Sequence, residues 1–182
     1  MANKRGLSPV IATVLLVLIT IAAVALIASF IIPFVRDNLA DSTSCVSYMD
    51  YFKFDEKSNY NCFDTAGELY GLTVKSSVDK TLAEGISGFS VAFIKTGESQ
   101  SLTIIHGENT SELSGGIRML NSSLSKLSVP RAGESRTYVY NSSGFGGYES
   151  VEIYPVLNNK KTCGKTDSIK FAKCSSVSLI LK

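Results

Sequence analysis

The stretch that decides the fold is residues 4–35, KRGLSPVIATVLLVLITIAAVALIASFIIPFV. Two cations and a glycine stand directly before a segment that carries no charge from Leu7 to Val35. A helix from Leu7 to Ile32 would be roughly 39 Å long, which exceeds the hydrocarbon core of a bilayer. It would be apolar on every side, so lipid or other helices must enclose it.

The apolar segment predicts a hydrophobic helix over residues 7–39 and a separate domain over residues 40–182. Pro33 has no N–H for the Ser29 carbonyl, so the helix should kink or loosen near residues 29–33. Arg36, the first charged residue after Leu7, marks the exit of the helix into water. The segment therefore separates the chain into an apolar N-terminal element and a polar remainder.

Three interpretations of this N-terminus compete. A secretory signal could be removed after the small residues Ala23 and Ala25, but the mature chain would then begin with an exposed apolar terminus. A plain membrane anchor would keep Lys4 and Arg5 in the cytoplasm by the positive-inside rule. In the third interpretation a peptidase cleaves between Gly6 and Leu7, where the missing side chain of Gly6 leaves the bond sterically open. The whole apolar helix then remains in the mature protein.

Residues 4–35 resemble the N-terminus of archaeal type IV pilins, which have a short basic leader ending in glycine, then Leu-Ser-Pro-Val-Ile and a long apolar helix. The resemblance implies that residues 1–6 are a leader removed by a prepilin peptidase, with Lys4, Arg5, Gly6 and Leu7 as the processing site. The rest of the chain resembles no particular member of the family, only a pilin head.

The resemblance also implies that mature subunits leave the membrane, join the pilus assembly machinery and polymerise into an extracellular helical filament for surface adhesion or cell contact. Bacterial pilins carry a glutamate at the fifth mature residue, whereas this chain has Ile11. Small residues fall on one helix face at spacings that allow close helix packing. The filament-core positions are Pro9, Val10, Ile11, Ala22, Ala25, Ser29 and Pro33.

From about residue 40 the composition shifts to Ser, Gly, Asn, Thr and Tyr, in short alternating stretches. Seven or so stretches read as strands, among them ELYGLTVKSSV, GFSVAFIKT, RTYVYN and SVEIYPVL, with turn-forming residues between them. This pattern predicts an antiparallel β-sandwich or barrel, and hence an α+β chain with one helix and a β-rich extracellular head. Pro155, inside SVEIYPVL, would fit best at a sheet edge or a bulge.

All four cysteines, Cys45, Cys62, Cys163 and Cys174, follow the apolar segment. An even count in an exported domain indicates two disulfides, and three connectivities are possible. Short local loops favour Cys45–Cys62 and Cys163–Cys174. Free thiols or a zinc site are the alternatives, although the paired C-x2-C spacing typical of zinc sites is missing.

Three N-glycosylation sequons begin at Asn109, Asn121 and Asn141. All three lie in polar stretches that read as loops, where glycans are tolerated. Short sequons also arise by chance in serine-rich sequence. We expect at least one to be glycosylated if the host has the machinery.

Composition argues against several function classes. Without Lys4 and Arg5 the chain carries 16 basic and 16 acidic residues, and a balanced charge does not favour nucleic acid as the main partner. His106 is the only histidine, and no nucleophile elbow, phosphate loop or EF-hand pattern occurs. We therefore expect no enzymatic activity, no metal site and no cofactor.

The most unusual part of the polar domain is residues 48–63, where six aromatic side chains crowd one predicted hairpin. Strand alternation could place one set in the core and leave the other exposed. The sequence leaves two interpretations of these side chains: they pack in the core, or they form an exposed patch for adhesion or subunit contact.

Overall fold

The computed structural model describes residues 9–64, 66–142, 146–175 and 179, and for residues 37–43 it describes the backbone. The chain divides into two compact units, Met1–Ser44 and Cys45–Lys182. Helix α1 spans Pro9–Val46 and so continues beyond residue 39, where the sequence placed its end. Pro9 opens the helix, a position where the missing proline N–H has no helical partner to lose.

The second unit contains one short helix and ten strands among its described residues. Helix α2 covers Lys80–Ala83, and Asp79 caps its N-terminus by accepting the Thr81 N–H. The strands are β1 Phe52–Phe54, β2 Cys62–Phe63, β3 Leu69–Ser76, β4 Ile86–Lys95, β5 Glu98–Ile105, β6 Ile117–Met119, β7 Ser135–Asn141, β8 Ser150–Leu157, β9 Asp167–Lys170 and β10 Ala172–Lys173.

These strands form two sheets, so the chain is α+β as the sequence predicts. The six-stranded sheet has the order β10-β2-β3-β7-β6, with β1 also paired to β3, and the four-stranded sheet has the order β5-β4-β8-β9. The barrel alternative is wrong, because these strands close into no single sheet. One pair departs from the predicted antiparallel arrangement, since β10 runs parallel to β2.

Aromatic side chains from both sheets share one core. Phe93 on β4 stacks on Tyr140 of β7 with ring centroids 4.3 Å apart, and Phe89 on β4 meets Tyr138 of β7 edge-on at 5.4 Å. Tyr51, which precedes β1, is buried in the same core. Three of the six aromatic residues from 48 to 63 are buried, because Tyr51 lies in the core and alternation along β1 turns Phe52 and Phe54 inward. The other three, Tyr48, Tyr60 and Phe63, are half-buried.

The predicted disulfide connectivity is wrong. The structure joins Cys45 to Cys163 and Cys62 to Cys174, with Cα–Cα distances of 5.3 and 5.1 Å. The parallel register pairs Cys62 with Ala172, which brings Cys174 next to Cys62. Strand pairing decides which cysteines meet. The assumption that cysteines close in sequence pair with each other was therefore wrong.

Candidate functional site

Helix α1 presents an apolar surface that nothing within the described chain covers. Residues Pro9–Arg36 have a mean hydropathy of 3.1, none of the span is buried, and its length and composition suffice to cross a membrane. Val10 and Ile11 are 69% and 52% exposed. An apolar surface of this extent is unfavourable in water, so it marks a site of contact with lipid or with other helices.

The hydroxyl groups along this helix are satisfied within it. Thr13, Thr20 and Ser29 each donate a hydrogen bond to the carbonyl three residues earlier, at 2.8–2.9 Å. A polar group without a partner would be costly in an apolar surrounding. The three hydroxyls therefore do not oppose transfer of the helix out of water.

A face of small side chains runs along the same helix. Ala22, Ala25 and Ser29 are exposed, and their spacing places them on one side. Small residues let helix backbones approach closely. Helix α1 also includes Pro33 without interruption, although the proline has no N–H to donate to the Ser29 carbonyl.

The predicted processing residues Lys4, Arg5, Gly6 and Leu7, like the whole leader 1–6, lie outside the described residues. The structure accordingly adds nothing to the proposed cleavage between Gly6 and Leu7. That cleavage remains a prediction from the sequence.

The three sequons differ in their surroundings. Asn109 and Asn121 are exposed, and the Asn121 Oδ1 accepts the Ser123 backbone N–H and hydroxyl at 3.1 and 2.6 Å. Asn141 was expected in a loop, but it is a half-buried residue of β7, and its Nδ2 donates to the Glu112 carbonyl at 2.8 Å. Ser143 of that sequon lies outside the described residues. Glycosylation is therefore sterically open at Asn109 and Asn121 and hindered at Asn141.

Among the residues that the structure describes, His106 makes a structural contact and joins no catalytic constellation. The exposed His106 accepts the Val129 N–H on Nδ1 at 3.3 Å, which makes it part of a loop contact. Among the described residues no group of three His, Cys, Asp or Glu side chains could hold a metal ion. Burial raises the pKa of Tyr138 and Tyr140, two phenols of the core.

The structure shows one surface feature that the sequence did not predict. Phe63, Tyr70, Tyr148 and Phe171 line a cavity of about 430 Å3 together with two glycines and the side chains of Glu149 and Lys170. We call this cavity the aromatic cleft. Its four rings come from β2, β3, the segment before β8 and the segment between β9 and β10, so no continuous sequence motif could have revealed it.

No protein-family model matches the chain, and no curated protein shows significant similarity to it. The long apolar helix suggests a membrane anchor or signal segment. The two disulfides are compatible with an extracellular location for the second unit. These statements rest on the chain's own residues.

Proposed function

We propose that this chain is the structural subunit of an extracellular filament of the archaeal type IV pilus kind, used for surface adhesion or cell contact. Helix α1 would form the filament core, and the second unit would form an outer β-sandwich head. The observation that carries the proposal is the apolar surface of Pro9–Arg36, none of which is buried. Other copies of the same helix could cover this surface, because they have the same length and the same apolar side chains.

The order of residues before the helix supports processing at the membrane face. Lys4 and Arg5 would hold that end in the cytoplasm, and a prepilin peptidase would cleave between Gly6 and Leu7. The precursor would be a membrane protein with its head outside. Cleavage would then leave a subunit whose helix is intact and which has lost only the two leader cations, Lys4 and Arg5.

Assembly must be favoured by packing rather than by removal from water. Lipid already shields the apolar side chains, so transfer from the membrane to a filament gains little hydrophobic free energy. The small-residue face of Ala22, Ala25 and Ser29 allows the close helix contacts that would compensate for lost lipid contacts. The two disulfides support a head that is exposed to an oxidising exterior.

The alternative is a membrane-anchored β-sandwich binding protein that never polymerises, because the same helix could simply span a bilayer. Electron microscopy of sheared extracellular material, with mass spectrometry of its N-terminus, separates the two. Filaments whose subunit begins at Leu7 are expected. Membrane-bound protein that still begins at Met1, without filaments, would favour the anchor.

A substitution at the cleavage site tests processing separately. Gly6→Ile should block the peptidase sterically and leave the precursor in the membrane. Gly6→Ala is the matched control, since it adds only a methyl group and should be processed. Normal filaments from Gly6→Ile would contradict the proposed cleavage.

A further inference from the structure

We propose that the aromatic cleft binds the pyranose ring of a neutral saccharide. The cleft lies entirely in the second unit, and binding there needs no filament. A sugar ring is amphipathic, with an apolar face of C–H groups and a rim of hydroxyls. The cleft offers the same combination, because its walls are aromatic and its rim carries hydrogen-bonding groups.

The walls provide a stacking surface. Phe63 and Phe171 are half-buried, so part of each ring faces the cavity. Tyr70 packs behind them, with its ring centroid 6.1 Å from that of Phe63 and 5.0 Å from that of Phe171. Aromatic rings held in this way present a large apolar surface at little entropic cost, since they are already ordered.

A buried hydroxyl in the wall still has a proton to donate. The Tyr70 oxygen accepts the N–H groups of Gly147 and Tyr148 at 2.8 and 3.1 Å, while the side chain itself is 1% exposed. Both backbone donors occupy the oxygen, and the hydroxyl proton finds no acceptor among the described residues. These two bonds fix the Tyr70 ring against the segment that carries Gly147 and Tyr148, which also line the cleft.

The rim favours a neutral ligand over a charged one. Glu149 and Lys170 are both exposed at the cleft, one as a hydrogen-bond acceptor and the other as a donor. Their charges are opposite, so the two side chains together add no net charge to the rim of the cleft. Sugar hydroxyls both donate and accept, and therefore match the pair.

The cleft is held in shape by covalent and backbone links. The Cys62–Cys174 disulfide joins β2 to the residue that follows β10. Phe63 lies on β2, and Phe171 directly precedes β10. Cys174 N–H donates to the Phe63 carbonyl at 2.9 Å, and Phe171 N–H donates to the Glu149 carbonyl at 2.8 Å. A site ordered before binding loses less entropy when its ligand enters.

The test uses the full chain in micelles of a detergent without a sugar headgroup. Saturation-transfer NMR with methyl glucopyranoside, methyl galactopyranoside, methyl mannopyranoside and N-acetylglucosamine measures binding to the unassembled protein. At least one probe should receive saturation on its ring C–H protons. The proposal is overturned if none does, and this result is independent of whether filaments form.

Variants locate the binding in the cleft. Phe171→Ala removes a stacking ring and should weaken binding at least about tenfold. Phe171→Leu fills the same space without a ring and should weaken it similarly, which guards against a folding artefact in the alanine variant. Tyr154→Ala, a half-buried aromatic residue outside the cleft, should bind like the parent.

Three results would overturn the proposal. Parent-like binding by both Phe171 variants would place the site elsewhere. Equal loss in a Tyr154→Ala variant that keeps the circular dichroism spectrum of the parent would show that binding does not depend on the rings of the cleft. If Phe171→Ala instead disrupts filaments while the parent binds no sugar, the cleft receives a side chain of a second copy of this chain.

Discussion

Gly71 illustrates how a single position can be required by close approach rather than by backbone conformation. A side-chain methyl there would collide with the Tyr60 carbonyl oxygen and would lie 2.7 Å from a methyl carbon of Leu179. Gly71→Ala should therefore lower the free energy of unfolding by about 1–3 kcal/mol, the usual cost of overpacking. Urea denaturation of the full chain, followed by circular dichroism, measures the change.

Gly164 provides the control for that substitution. A methyl group at Gly164 would meet nothing within 4 Å, and its φ is not in the left-handed region. Gly164→Ala should change the free energy of unfolding by less than about 0.5 kcal/mol. A Gly71→Ala variant as stable as Gly164→Ala would show that the close contact relaxes freely.

Glu152 makes stability depend on pH in the acidic range. The hydroxyl of Tyr154 and the ammonium of Lys165, which lies 2.9 Å away, hold the pKa of Glu152 below its ordinary value of 4.5. A lowered folded pKa contributes stability that is present above pH 4.5 and is lost as pH falls through the folded pKa. Glu152→Gln should therefore be less stable than the parent at pH 7 and equally stable near pH 2.

Tyr154 gives the complementary test in the alkaline range. Its hydrogen bond to Glu152 raises the pKa of Tyr154 to about 12. A raised folded pKa contributes stability that is fully present below pH 10, the ordinary tyrosine pKa, and is lost as pH rises through 12. Urea midpoints of the parent and Glu152→Gln measure the acidic effect across pH 2–7 and the alkaline effect across pH 9–12. A constant difference between the two proteins in either range would contradict the effect expected there.

Among the elements, helix α1 distinguishes a filament from an anchor most sharply. Ala25→Leu should clash with a close neighbouring helix, at about 1–3 kcal/mol per contact, and that cost recurs at every subunit of a filament. Membrane insertion should continue, since leucine favours it. We expect fragmented or missing filaments by electron microscopy, with normal amounts of protein in the membrane.

Ala23→Leu is the matched control for helix α1. It makes the same chemical change on a different face of the helix, away from Ala22, Ala25 and Ser29. Filaments should tolerate it better than Ala25→Leu. Parent-like filaments from Ala25→Leu would contradict a close-packed small-residue face.

Strand β8 shows how an element accommodates a residue that its pattern disfavours. Pro155 lies beyond Ile153, the last β8 residue that pairs with β9. Its carbonyl accepts the Cys163 N–H from the following loop at 2.8 Å. The proline nitrogen faces the same side and cannot donate to this loop. Strand β8 lies between β4 and β9, and Pro155 pairs with Phe89 of β4, so the expected position at a sheet edge or a bulge is not confirmed.

At the scale of the whole molecule, the two disulfides close very long loops. Cys45 and Cys163 are 118 residues apart, and Cys62 and Cys174 are 112 apart. In the chain-entropy description a loop near 100 residues stabilises the folded state by about 4–5 kcal/mol. Replacing Cys62 and Cys174 by alanine should lower the free energy of unfolding by about that amount in urea titrations.

Peptide mapping without reduction tests the connectivity itself. A proteolytic fragment containing Cys62 should remain linked to one containing Cys174, and Cys45 should remain linked to Cys163. The single variant Cys62→Ala should free one thiol at Cys174. Recovery of Cys45 linked to Cys62 would contradict the observed pairing.

Local pattern predicted the long strands well and the short ones poorly. Strands β3, β4, β7 and β8 are seven to ten residues long and rich in β-branched and aromatic residues, so the sequence identified them. Strands β2 and β10 are two residues long each, and a pair of residues has no period. They form because two parts of the chain that are distant in sequence lie side by side in the sheet. The local sequence does not encode that pairing.

The two candidate sites also differ in whether the sequence could predict them. The small-residue face of α1 follows from helical periodicity, because Ala22 and Ala25 are neighbours along one element. The aromatic cleft depends on four separate elements, and Phe63 is far in sequence from Phe171. Its existence could not be predicted without the sheet order.

The sequence by itself determined the apolar helix, its division from a β-rich domain and the positions of the four cysteines, since each depends on composition or on short-range periodicity. Only the tertiary structure decided which cysteines pair, that the strands form two sheets instead of a barrel, and that Phe63 and Phe171 share a cleft. The physical reason is that local periods are imposed by backbone geometry, whereas long-range partners are selected by the packing of the whole core.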